Sequence, residues 1–347
     1  MIQKLKGLIK IFILVDLILI INSCKQSHKI GLFGQENAVW TESIYLRGYK
    51  PSNLKKLSDN DLRKYANTLK RNRIKYAYLF AGPYDEKGFL PDYAFSSLAK
   101  ESVRKLKKYY PEIVILPWIG GVQNKTVYLG NSAWVENALK DTEKLVQVLD
   151  VPGVHVDFEY ILKDNPYLDR TINPEKLGDK ETYGKNVNEF HKKLRALLPD
   201  KFISSVVVSS ASDTKPWKRK TTFSELETLI KYVDQLSFLF YDTHIDSQEV
   251  FEKNCVEQLN HIKALKRFNT NTQFLISIGT FVNRLELQDF RNLTVESVPN
   301  SLETIKKSSI AVNDSEKIVD GISIFCDWHT EKREWAQFRE HWVEKQY

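Results

Sequence analysis

The chain has 347 residues, of which 42% are hydrophobic, 12% aromatic and 27% charged. This excludes a disordered or collagen-like polymer and is enough for one large core. A formal charge of +7 over that length is too thin to argue for nucleic acid. The three cysteines, at 24, 255 and 326, are too few and too scattered for a disulfide framework or a zinc cluster, so neither metal nor cofactor is expected. Cys255 lies in a helical pattern and Cys326 in an apolar run, and both read as buried thiols.

The first 23 residues read as an export leader. Lys4, Lys6 and Lys10 give a charged start, and 11–21 is apolar except for Asp16. That run falls short of the roughly 20 apolar residues of a membrane span, so a signal peptide explains it better than a transmembrane helix. Ile21-Asn22-Ser23-Cys24 resembles the lipobox of bacterial lipoproteins. The resemblance implies lipidation of Cys24, a polar leash over 24–37, and a protein held at a membrane of the cell envelope.

From residue 38 onward, short apolar runs alternate with amphipathic stretches. Strands are expected at 38–46, 75–81, 113–118, 153–160, 203–209, 235–241, 273–279 and 321–326. Helices are expected at 59–73, 94–109, 133–149, 182–198, 223–233, 248–267, 301–312 and 331–345. Leu62, Tyr65 and Leu69 share one helical face, and Thr222 with Glu225 has the spacing of a capping box. Strict alternation argues for parallel strands joined by crossover helices, and eight such units in about 300 residues match an α/β (β/α)8 barrel. A doubly wound sheet would be expected to carry a Gly-rich phosphate turn, and none is present. One domain is expected over 38–347, and a monomer.

The fourth predicted strand, Gly153-Val154-His155-Val156-Asp157-Phe158-Glu159, carries the strongest chemical signal. Side chains alternate along a strand, so Val154, Val156 and Phe158 face the helices while His155, Asp157 and Glu159 face the barrel axis. Two carboxylates and an imidazole in that interior are costly unless they are paired or used. Glu159 falls at the strand's C-terminal end, where barrel enzymes hold their chemistry.

This strand resembles the signature of glycoside hydrolase family 18, the chitinases and endo-β-N-acetylglucosaminidases, which reads Asp-Gly-x-Asp-x-Asp-x-Glu. Gly153, Asp157 and Glu159 match, whereas Pro152 and His155 replace the first two aspartates. Tyr241-Asp242 matches the family's ending of the sixth strand, and Trp328 stands after the eighth. Trp118-Ile119-Gly120-Gly121 partly matches the third-strand Ser-x-Gly-Gly. The resemblance implies retaining, substrate-assisted hydrolysis of glycans containing N-acetylglucosamine, an exception to the two-carboxylate scheme. Glu159 would be the general acid, Asp157 would orient the acetamide, and Tyr241 would hydrogen-bond its carbonyl. Asp242, Trp328, His155 and Trp118 would line the sugar site.

Physical reasoning adds that Asp157 should push the acid strength of Glu159 down by like-charge repulsion, and that His155 is placed to donate to Asp157. About 40 residues separate strands seven and eight, too few for a helix and an inserted α+β subdomain, so the cleft should be open. Lys215, Trp217, Lys218, Arg219 and Lys220 form a basic cluster after strand five. It reads as a solvated loop, or as a platform for sugar or an acidic polymer. His244 and His329 follow strands six and eight without the spacing of a metal site. Two other functions fit the same residues. One is a non-catalytic glycan binder. The other is a glycosidase using Asp242 or Asp327 as nucleophile, with its carboxylates near the ~5 Å of retaining enzymes.

Overall fold

The computed structural model describes residues 35–50, 55–162, 180–212, 214–215, 218–269, 271–280, 290–313 and 317–344. Cys24, the leader and Trp217 lie outside them. Among the described residues, no helix is long and apolar enough to cross a membrane.

Eight parallel strands close into a barrel. They are β1 (Ala38–Thr41), β2 (Tyr76–Pro83), β3 (Val114–Val122), β4 (Gly153–Glu159), β5 (Phe202–Val208), β6 (Gln235–Leu239), β7 (Gln273–Gly279) and β8 (Gly321–Phe325). Each pairs with its neighbours in sequence, and β1 pairs with both β2 and β8, which leaves no edge. The helices are α1 (Asp59–Arg71), α2 (Ser97–Tyr109), α3 (Ser132–Leu149), α4 (Tyr183–Leu197), α5 (Phe223–Leu229), α6 (Gln248–Lys266), α7 (Val298–Val312) and α8 (Lys332–Phe338). Capping boxes start α1, where Ser58 and Asp61 exchange bonds, and α5, where Thr222 and Glu225 do so as their spacing predicts.

The elements depart from expectation at their ends. The first strand stops at Thr41, because Ile44–Arg47 forms one helical turn that closes on Gly48 in a left-handed conformation (φ 73°). A two-stranded ribbon of Tyr49–Lys50 and Lys55–Lys56 follows, which apolar periodicity could not reveal. β3 runs four residues beyond its predicted end, through Gly120 and Gly121. The last helix passes into a π-helical turn over Arg339–Val343. Between β7 and β8 the described residues include a helical turn, Leu293–Glu296, that precedes α7.

Two cores result, as the alternation requires. Val154, Val156 and Phe158 join the layer between strands and helices. Trp40, Tyr76, Tyr78, Leu116, Val206, Leu239 and Leu275 fill the barrel axis. The lower axis, near the N-terminal ends of the strands, is polar and continuously bonded. Glu36 accepts from Lys75, Tyr76 and Gln273, and Gln273 Oε1 accepts from Gln235 Nε2 at 2.9 Å. Gln235 Oε1 accepts from Tyr78 and Ser204, at 2.5 and 2.8 Å. The chain enters the barrel at this lower end, where Asn37 Oδ1 accepts from the Ile322 amide (3.0 Å) and Trp342 Nε1 (2.9 Å). The last described turn is thereby fastened to the first strand.

Candidate active site

His155 belongs to the polar axis rather than to the mouth. Its ring is fully buried and stacks on Tyr78, with centroids 3.7 Å apart and planes 7° from parallel. Its Nδ1 is 2.8 Å from Ser204 Oγ. Ser204 spends its one hydroxyl hydrogen on Gln235, so it accepts from His155 Nδ1–H, and Nε2 is the bare nitrogen, without a partner among the described residues. Burial holds the imidazole well below its usual pKa and keeps it neutral. The expected donation to Asp157 is replaced by this bond, because the pleat sets His155 one layer below the carboxylates.

Asp157 and Glu159 occupy the upper end of β4, in register with Gly120 and Val122 of β3. Gly120 has φ 144°, and a Cβ there would lie 2.0 Å from the Asp157 carbonyl oxygen, so this approach of two backbones requires glycine. Two residue pairs lower, Trp118 stands opposite His155, and its Nε1 reaches up to donate to Asp157 Oδ2 at 3.1 Å. Among the described residues, Asp157 Oδ1 is buried without a hydrogen-bond partner. Burial and the neighbouring Glu159 push the Asp157 carboxyl up to about 7, against the pull of Lys218, the Trp118 bond and Lys215. The like-charge effect between the two carboxylates is seen at Asp157. Glu159 instead forms an ion pair with Lys218.

That lysine was hidden in the basic cluster after β5. The loop does not lie in solvent as one whole. Lys218 is 6% exposed and Lys215 is fully buried. The Lys218 backbone bridges to Ile161, and the Arg219 amide donates to the Tyr160 carbonyl at 2.8 Å, so the loop is laid along the end of β4. Lys215 Nζ stands 3.9 Å from the centroid of the Tyr241 ring, a cation–π contact. Burial, with Lys218 beside it, brings its ammonium down to about 7, while Asp242, Glu159 and Glu296 oppose the shift. Position after a barrel strand was the available cue, since that face holds barrel chemistry.

Tyr241 and Asp242 leave the end of β6 and are nearly buried. The Tyr241 ring stacks on Phe325, the last residue of β8, at 5.0 Å and 4°. Phe325 therefore supplies the aromatic surface at the strand end. Trp328 lies in the following 3-10 turn, Asp327–His329, and meets Phe325 edge-on at 5.7 Å. Asp242 has φ 48° and His244 φ 64°, a strained turn for non-glycine residues. Glu296 braces it by accepting from both the Thr243 amide (2.9 Å) and the Thr243 hydroxyl. Burial pushes the Glu296 carboxyl up to about 7; Asp242 adds to the shift and Arg291 opposes it. The carboxylate oxygens of Asp327 are buried near Tyr65 of α1 and the Glu42 backbone, and burial pushes the group up to about 7. Among the described residues no group of His, Cys, Asp and Glu is arranged to hold a metal ion.

No family model matches this sequence, and no curated protein does. Solved structures do resemble the fold. A family 18 chitinase from Cycas revoluta, in complex with (GlcNAc)4, shares 12% identity at TM-score 0.57, covering 88% of this chain and 99% of that one. A class V chitinase from Pseudomonas fluorescens shares 12% at 0.54, covering 88% and 98%. The Bacillus cereus spore cortex-lytic enzyme SleL shares 11% at 0.52, covering 88% of this chain and 74% of that one. The chain has the (β/α)8 architecture of these enzymes, and the resemblance read from its motifs holds at the level of the fold.

Proposed function

We propose that the protein is a glycoside hydrolase acting on glycans that contain N-acetylglucosamine, by a retaining, substrate-assisted route. The carrying observation is the pair Asp157 and Glu159 on one face of β4 at the barrel mouth, beside Tyr241-Asp242. Neighbours of the same fold bind N-acetylglucosamine oligomers, which favours that sugar. In this reading Glu159 protonates the glycosidic oxygen, and the substrate's acetamide carbonyl attacks the anomeric carbon. The open acceptor Asp157 Oδ1 takes the acetamide N–H and orients it. Tyr241 donates to the acetamide oxygen, and Asp242 holds the sugar. Phe325 and Trp328 give the apolar faces that sugar C–H groups pack against.

Burial and the neighbouring Glu159 hold the Asp157 carboxyl up at about 7, and an acetamide N–H bound there favours its carboxylate form. Glu159 delivers a proton to the leaving oxygen. The test is the release of product from N-acetylglucosamine oligomers, with the anomer of the first product followed by proton NMR. Retention with inhibition by a thiazoline mimic of the ring intermediate supports the reading. Cleavage that ignores loss of the N-acetyl group overturns it. We also propose lipidation at Cys24, tested by incorporation of labelled palmitate and its loss in Cys24→Ser.

A further inference from the structure

Tyr241 is the residue to which the reading above assigns the acetamide oxygen, and two of its contacts differ in kind. Its ring stacks on Phe325 at 5.0 Å and 4°, and the Lys215 ammonium stands 3.9 Å from its centroid. Lys215 reaches it from the loop after β5. The Ile161–Lys218 bridge and the bond from the Lys218 amide to the Lys215 carbonyl (3.0 Å) fix that loop at the mouth.

Two features of Lys215 cost stability. Its side chain is fully buried, and its backbone is left-handed at φ 44°, although it carries a Cβ. An apolar side chain of similar length would fill the space without desolving a charge, and glycine would relieve the turn. What an apolar chain cannot supply is the attraction of a cation for the electron-rich face of a ring, which is strongest where water is excluded. That attraction sets the tilt of the ring and with it the direction of the phenol O–H. The ammonium also lies in the fields of Asp242, Glu159 and Glu296, with Lys218 opposing them, so its charge belongs to the mouth as a whole. Resting on the glycosidase reading, we infer that Lys215 is a positioning residue. Its ammonium holds the Tyr241 ring in the orientation that aims the phenol at the acetamide, and so sets the preference for N-acetylated sugar.

The experiment compares the N-acetylglucosamine tetramer with a glucose tetramer, which lacks the acetamide. Calorimetric Kd and kcat/KM are measured on the full chain, on Lys215→Met and on Lys215→Arg. The wild type should favour the N-acetylated tetramer. Lys215→Met should lose at least about tenfold of that preference, and Lys215→Arg should keep most of it. The urea midpoint of Lys215→Met should be no lower than that of the wild type, because a buried charge has gone. A lower midpoint with the preference intact marks a purely structural lysine and overturns the inference.

The pH dependence gives a second readout. Burial, with Lys218 beside it, brings the Lys215 ammonium down to about 7, whereas an arginine there stays charged. Relative to Lys215→Arg, the wild type should therefore lose preference as pH rises through about 7. Asp157 and Glu296, which titrate in the same range, and Asp242, Glu159 and Lys218 are common to both proteins. An acetamide preference that depends on Lys215, without any turnover, upholds the inference and defeats the hydrolase reading. Turnover with an undiminished preference in Lys215→Met does the reverse. No preference in the wild type overturns both. Should Lys215→Met fail to fold, the pH comparison decides, and parallel curves are fatal to the inference.

Discussion

The lower and upper halves of the barrel axis are built from the same strands yet treat buried polarity in opposite ways. Below, Glu36, Gln273, Gln235, Ser204 and His155 form a chain in which each donor meets an acceptor. The imidazole is neutral, and its open atom, Nε2, is an acceptor that demands no proton. Above, Asp157, Glu159, Lys215 and Lys218 crowd together with Asp157 and Lys215 each displaced to about 7. Polar groups paired along a continuous chain fix a shape, whereas charge brought together with open acceptors is poised for reaction. His155 and Asp157 are two residues apart on one face of one strand, so a single step of the pleat separates the regimes.

The largest effect should follow from Glu159→Gln, which removes the proton donor. Turnover of N-acetylglucosamine oligomers should fall by at least about 100-fold while binding persists. Full activity in this variant would place the chemistry elsewhere. In the lower half, His155→Asn should act on stability instead. Loss of the Tyr78 stack and the Ser204 bond should cost about 2 kcal/mol in denaturant unfolding, with the shape of the pH–rate profile unchanged. A limb that disappears from that profile would break the division between the halves.

Glu296 gives a sharper test, because its charge and its bracing role are linked. Its carboxyl titrates near 7 in the folded chain against an ordinary 4.5, so the folded state keeps a proton that the unfolded state has released. The stabilisation is complete below about pH 4.5 and is lost as pH rises through about 7. Glu296→Gln cannot titrate. Wild-type stability should therefore fall relative to the variant between about pH 5 and 7, by a few kcal/mol at most, as read from urea midpoints. Parallel pH curves would refute the assignment. The smallest effect is expected of Trp118→Phe, which removes the Nε1 bond to Asp157. A several-fold loss in kcat with KM little changed fits the roughly 1 kcal/mol of one such bond.

The sequence made the barrel legible because each strand is a short apolar run and each helix has its own period. The β7 limits, 273–279, were read without error. Asp157 and Glu159 were legible because acidic residues alternating inside an apolar strand are too costly to bury without a use. Lys215, Lys218, Phe325 and Glu296 were not. A basic run looks the same in sequence whether it meets water or a carboxylate. The roles of Phe325 at the end of β8 and of Glu296 in its helical turn depend on which residues of other elements the fold brings beside them. His155 was misplaced by one layer, since alternation tells the face of a strand but not the depth of each residue along the axis.

Asn37 binds both β8 and the π-helical turn at the lower end of the barrel, so the chain's point of entry is mechanically shared among the first strand, the last strand and the final turn. The mouth lies at the opposite end, roughly 20 Å away for a strand of this length. Anything attached ahead of Glu36 thus holds the molecule by its closed base and leaves the cleft pointing outward. Pulling on such an attachment loads three elements together rather than peeling away one, and none of the three carries Asp157 or Glu159.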